Sequence, residues 1–261
     1  MLLPPYQSAS ATQRSFELQP GDFAGRVIAV TGATGGLGTQ LCHALATAGA
    51  TVVMIARSEK RLDALYDALL AASAPTPVQV PLAQDKAAEA DYAELSELLA
   101  SELGGLDALV HTAACSAAPM PLGDVSQADW ARMFAVNVSA ARLASLACLP
   151  LLRASSLASL VFLLDYKPNA YWGAYGVSKQ ALHALMSMLA DETEGMRDGS
   201  GHPRLAVNGY DPGPMRTALR RKAFPGELEN QSPQPSARLG PLLSLVARTD
   251  RQQTGSALYH D

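Results

Sequence analysis

Short runs of β-branched and aliphatic residues alternate along the chain with longer stretches whose apolar residues recur at helical spacing. RVIAVT at 26–31, TVVMIA at 51–56, PVQVPL at 77–82, LDALVHT at 106–112, ASLVFLL at 158–164 and RLAVNGY at 204–210 predict strands. GSALY near the end is a candidate for a last one. Between them, 37–48, 59–72, 89–103, 127–149, 174–196 and roughly 236–249 predict helices. Strict alternation of strand and helix requires crossover connections, so the expected fold class is α/β, a doubly wound parallel sheet with helices on both faces. Residues 1 to about 24 mix Pro, Ser, Gln and Thr without periodicity, which predicts a flexible arm and leaves 25–261 as a single domain. The Pro-rich polar segment 225–241 reads equally well as a mobile flap over a site or as an ordinary surface loop.

Composition narrows the partners. With a net charge of -4, the chain has no basic excess that would favour nucleic acid or an anionic membrane surface, so a small molecule is the expected partner. Cys42, Cys115 and Cys148 are odd in number, widely spaced and set in apolar or Ala-rich stretches, as unpaired core cysteines in a reducing compartment would be. The N-terminal MLLPPYQSASATQ has neither a basic start nor a long apolar run, and nowhere do eighteen apolar residues follow one another. The expected location is the cytoplasm, and no metal site is expected.

The first chemical motif is TGATGGLG at 31–38, set between the first strand and the first helix. Gly32 lets the chain turn off the strand tip, Gly36 clears a side chain from the path of a pyrophosphate, and Gly38 lets the helix pack close to the sheet. The helix N-terminus then offers free N–H groups to the anion. Thr31, Gly32, Thr34, Gly36, Leu37 and Gly38 are thus the expected dinucleotide contacts. At the end of the second strand, where a carboxylate would bind a ribose 2′-hydroxyl, stands Arg57. A guanidinium pairs with a 2′-phosphate and offers nothing comparable to a hydroxyl, so NADP(H) is the expected cofactor. Lys60 and Arg61 add positive potential. The other reading of Arg57 is a side chain at a solvated helix start.

The second motif is YGVSK at 175–179, which opens a predicted helix and puts Tyr175 and Lys179 on one face. A neighbouring ammonium is expected to stabilise the phenolate and lower the phenol pKa toward neutrality, suiting it to move a proton to or from an alcohol.

Together with VNV at 136–138 and DPGPMRT at 211–217, these motifs resemble the short-chain dehydrogenase/reductase family in order and spacing over essentially 24–261. The resemblance implies a seven-stranded sheet and makes Tyr175 the catalytic acid/base. Lys179 becomes a ribose ligand that also lowers the tyrosine pKa, and Asn137 the holder of a water in a proton relay. It also implies nicotinamide contacts from Pro212, Gly213 and Thr217, a cofactor contact at Ala113, and a homodimer or homotetramer built on the long helices.

Three positions depart from the family pattern. HTAA at 111–114 replaces a glycine with Ala114, and Ala83 stands where an adenine-binding Asp or Asn is common. The third departure concerns the catalytic serine: counting back thirteen residues from Tyr175 reaches Phe162, whereas alignment on the strand puts Asp165 in its place, with a loop about three residues short. An ionised aspartate cannot donate to a substrate oxygen and opposes a nearby phenolate. Either Asp165 is protonated, Tyr166 or Tyr171 donates, or the site is impaired. The expected function is hydride transfer between nicotinamide and a carbonyl or alcohol. The alternatives are a catalytically impaired NADP-binding regulatory module, or an epimerisation or dehydration on the same scaffold.

Overall fold

A computed structural model describes residues 6–72 and 74–260. Its centre is the sheet that the alternation predicts: β2 (Val27–Thr31), β3 (Thr51–Ala56), β4 (Val78–Pro81), β5 (Ala108–His111), β6 (Ala158–Leu163), β7 (Leu205–Asp211) and β8 (Ala257–Tyr259). All are parallel, in the order β8-β7-β6-β5-β2-β3-β4. Every residue of β2, β5, β6 and β7 is buried, which is why these runs are almost continuously apolar rather than alternating.

Helices close both faces. On one side α2 (Gly36–Thr47), α3 (Glu59–Ala71) and α9 (Leu239–Ala247) bring Leu41, Leu45, Leu62, Leu242 and Val246 onto the sheet. On the other, α4 (Glu89–Leu103), α6 (Ala140–Ala154) and α7 (Gly173–Thr193) supply Leu95, Leu99, Ala144, Leu152, Leu182 and Met186. The predicted helix 127–149 is α5 (Gln127–Phe134) running into α6 through a wide π-type turn over Ala135–Ser139. Gln127–Ala154 is long and apolar enough to cross a membrane by length and composition, but α6 packs its apolar face on the sheet beside α4, where the Ser96 hydroxyl donates to the Ala147 carbonyl. The 225–241 segment follows a short helix, α8 (Ala218–Ala223), and ends in a helical turn at Pro235–Arg238.

The N-terminal segment differs from the flexible arm expected of it. From Tyr6 onward it is part of the domain; residues 1–5 lie outside the described residues. β1 (Gln7–Ser8) pairs in parallel with β8 and makes the sheet eight-stranded rather than seven. Ser10 and Gln13 cap α1 (Ala11–Arg14) reciprocally, and the α1 carbonyl of Gln13 lies where a Cβ on Gly240 of α9 would stand only 2.6 Å away. Phe23 is fully inside the core. A two-residue edge strand is too short to leave a period-two signature, so the residues that make it looked unstructured.

The chain runs from β2 outward to β4 and then returns to place β5 on the other side of β2. The crevice at the carboxyl ends of β2 and β5 is therefore the switch point of the sheet, where ligands of open α/β folds bind.

Candidate active site

A cleft of about 390 Å³ opens at this switch point. Its walls are the residues that follow the strands: Gly32 after β2, Arg57 after β3, Leu82 after β4, Thr112 after β5, Leu164 after β6 and Pro212 after β7. Most of the expected site residues meet here: Gly32, Thr34, Gly36, Leu37, Gly38, Arg57, Ala113, Asp165, Tyr175, Lys179, Pro212, Gly213 and Thr217 all line it.

Two do not. Thr31 is buried; its carbonyl accepts from the Thr112 hydroxyl at 2.6 Å and its own hydroxyl lies 3.4 Å from the Ala113 N–H, so it fastens β5's exit loop to β2 instead of facing the cleft. Asn137 is also buried, within the wide turn. Its Oδ1 accepts from the Cys115 N–H at 2.7 Å while its amide donates to the Cys115 carbonyl and the Ser178 hydroxyl, both at 2.9 Å. With both amide hydrogens committed, its side chain holds the Cys115 loop against α7.

At the glycine turn the backbone explains the composition. Gly32 has φ +68, and a Cβ there would meet Ala113 Cα at 2.6 Å. A Cβ on Gly36 would stand 2.8 Å from the Thr217 methyl on the opposite lip, so only glycine leaves a passage between them. No side chain caps the N-terminus of α2, leaving its first N–H groups to an anion. The donor set therefore fits a dinucleotide pyrophosphate. Arg57 is exposed at the same mouth, and Arg61 donates to the Thr34 carbonyl, bracing the glycine turn with a cation. On the adenine side the cleft is walled by Leu82, Gln84 and Asp85, so the polar side chains come one and two residues after Ala83. Thr217 caps α8, accepting from the Arg220 N–H at 3.1 Å; its hydroxyl hydrogen remains available to the cleft.

At the other end, Tyr175 and Lys179 lie on the buried face of α7, 4% and 2% exposed. Lys179 Nζ donates to the Leu163 carbonyl at 2.8 Å, below the tyrosine ring. Burial lowers its pKa to about 8. The Tyr175 hydroxyl donates to Asp165 Oδ2 at 2.8 Å, and Lys167 Nζ holds Asp165 Oδ1 at 2.5 Å. Burial first, and the Asp165 carboxylate second, push the Tyr175 phenol well above its ordinary value. The downward shift expected from the Tyr/Lys spacing is thus reversed. Asp211, also buried, anchors the turn after β7 by accepting from the N–H groups of Tyr166 and Gly213. Neither Tyr166 nor Tyr171 lines the cleft, and both are more than half exposed. Lys167, Trp172 and Arg132, which also line it, were not singled out in the sequence; the shortened loop that carries Lys167 and Trp172 hides their register.

The short chain dehydrogenase family profile matches residues 26–228. The chain belongs to the short-chain dehydrogenase family. An uncharacterised oxidoreductase of Escherichia coli strain K12, YciK, is 31% identical over 233 residues, covering 88% of this chain and 89% of that one. Among solved structures, a candidate short chain dehydrogenase from Pseudomonas syringae superposes with a TM-score of 0.88 at 35% identity, covering 94% of this chain and 98% of that one. Another from E. coli CFT073, solved in complex with NADPH, gives 0.86 at 30%, covering 92% and 98%. The stretch matched by the family profile takes in the glycine turn, strands β2 to β7 and α7, which build the cleft.

Proposed function

We propose that this dehydrogenase binds NADP(H) and reduces a carbonyl compound to an alcohol. The observation that carries the reading is that one continuous cleft joins the glycine turn and Arg57 at one end to the Tyr175 phenol at the other; the NADPH held by the E. coli CFT073 relative supports the choice of cofactor. Bound, the nicotinamide supplies a hydride. The chain does the rest: Gly32, Gly36, Leu37 and the α2 N-terminus hold the pyrophosphate, Arg57 the 2′-phosphate, and Lys179 the nicotinamide-side ribose. Thr217, Pro212 and Gly213 hold the nicotinamide end, and Ala113 and Ala114 form the wall beside it.

Tyr175 gives its proton to the substrate oxygen. A phenol pushed upward in pKa keeps its proton at neutral pH, which suits it to the acid role. Asn137 acts from behind, by fixing the loop that bears Cys115 and Ser116. The exposed apolar side chains Val177 and Met188 on α7 and Leu146 on α6 support pairing of two chains through these helices. The three free cysteines support a reducing, cytoplasmic setting.

The test is NADPH oxidation across a panel of aldehydes and ketones, with Tyr175→Phe beside the wild type. Loss of turnover with NADPH affinity kept is the expected result, because only the transferable proton is removed; wild-type turnover in Tyr175→Phe refutes the acid assignment.

A further inference from the structure

The carboxylate of Asp165 leaves a chemical vacancy: something other than a serine must donate to the substrate oxygen as it becomes an alkoxide. Tyr166 and Tyr171 are more than half exposed and do not line the cleft, and the ammonium of Lys179 has one donor on the Leu163 carbonyl and is assigned to the nicotinamide-side ribose. Ser116, on the wall after β5, has a buried hydroxyl with no hydrogen-bond partner among the described residues, but nothing ties it to Tyr175 or Asp165, and its substitution is measured beside that of Lys167. Lys167 is different. It lines the cleft, is one-quarter exposed, stands 5.5 Å from the Trp172 ring centre, and shares a single carboxylate with the reacting phenol.

That shared carboxylate marks a position. Tyr175 donates to one of its oxygens and Lys167 to the other, so the two donors are held on one anionic group, side by side at the cleft wall. A developing alkoxide is an acceptor of the same kind. An ammonium has three N–H donors, so Lys167 can keep one on Asp165 and offer another to the substrate.

We propose that Lys167 is the catalytic residue that replaces the serine hydroxyl, with Asp165 as the positioning residue that fixes its ammonium. The inference rests on the carbonyl reductase reading. In the step, hydride adds to the carbonyl carbon, the C=O electron pair moves onto oxygen, and Tyr175 gives that oxygen its proton. The Lys167 N–H stabilises the charge as it forms, and the Tyr175 phenolate is reprotonated from bulk water. Charge-assisted donors aimed at a developing oxyanion in a sheltered cleft are the kind whose loss costs most.

The experiment first measures NADPH affinity by fluorescence, then NADPH-dependent turnover of an aromatic vicinal diketone and an aliphatic aldehyde. Wild type, Lys167→Ala, Lys167→Arg, Ser116→Ala, Asp165→Ser and the double variants of Asp165→Ser with Lys167→Ala and with Ser116→Ala are compared. Lys167→Ala should lower kcat about 100-fold and change NADPH affinity less than about twofold. In the Asp165→Ser background, where a hydroxyl donor is restored, the same substitution should cost less than about fivefold, and Lys167→Arg should keep about a tenth of wild-type kcat or more.

Equal losses in both backgrounds assign Lys167 a merely structural role and overturn the proposal. So does a kcat loss under about threefold in Lys167→Ala. So does a Ser116→Ala loss as large as that of Lys167→Ala, if Asp165→Ser rescues it. A wild type that binds NADPH but reduces neither probe overturns it as well; turnover by Asp165→Ser in that case keeps the carbonyl reductase reading for the scaffold, while failure to bind NADPH removes that reading and this inference together.

Discussion

Replacing Arg57 with alanine tests the cofactor assignment at its most exposed point. Arg57 stands at the cleft mouth after β3 with no hydrogen bond or ion pair among the described residues, so its removal breaks nothing internal. A hydrogen bond to a charged group is worth about 1.5–3 kcal/mol; exposure and screening put Arg57 at the lower end, about 1.5 kcal/mol, or roughly tenfold in affinity. Arg57→Ala should therefore weaken NADPH about tenfold and leave NADH within about twofold. Arg61 supplies the contrast, because its guanidinium braces the Thr34 carbonyl of the glycine turn. Arg61→Ala should weaken both cofactors, since the turn that binds their common pyrophosphate loses its support. Calorimetry of both cofactors with both variants reads these effects. Raising salt from about 0.05 to about 0.5 M should narrow the wild-type preference for NADPH, as it must if charge sets it. Equal affinity of the wild type for the two cofactors, or a parallel loss of both in Arg57→Ala, refutes the reasoning.

Lys179, its pKa lowered to about 8 by burial, is an ammonium below that pH and an amine above it; NADPH affinity should be level from neutrality to about pH 7.5 and fall through pH 8 to 9, and an affinity unchanged to pH 9.5 by fluorescence titration counts against its role as a charged ribose ligand. His111, buried beneath Phe162 with Nε2 2.9 Å from the Ser145 hydroxyl, has its pKa lowered by burial to about 3. Below the unfolded value near 6.5 the unfolded chain binds a proton that the fold refuses, so stability is lost as pH falls, by about 1.4 kcal/mol per unit and about 2 kcal/mol at pH 5. Urea unfolding at pH 7 and pH 5 should show His111→Gln losing less than the wild type over that interval; identical losses would remove His111 as the cause.

What the sequence could reveal depended on whether the physics is local. The central strands β2, β5, β6 and β7 announce themselves because a strand buried on both faces must be largely apolar along its length, and all four are buried at every residue. The glycine turn is legible for the same reason: the positive φ of Gly32 and the narrow gap between Gly36 and Thr217 both act on the backbone at those positions. The edge strand Gln7–Ser8 is not, since its partner β8 lies at the far end of the chain. Asn137 was found by its motif, but its direction is fixed by Cys115 and Ser178, which the motif does not contain.

Tyr175 makes the same point about chemistry. Spacing alone brings Lys179 to its face and argues for a lowered pKa, because the cation is the only charged neighbour that helical geometry supplies. The fold adds three influences of the opposite sign: burial, the Asp165 carboxylate two residues past β6, and Asp211 at the end of β7. Burial leads and both carboxylates add to it, so the phenol keeps its proton. The sign of this shift is a property of how β6, β7 and α7 meet: Asp165 is readable in the sequence as a group that opposes a phenolate, but the burial that leads the shift and the approach of Asp211 come only with the fold.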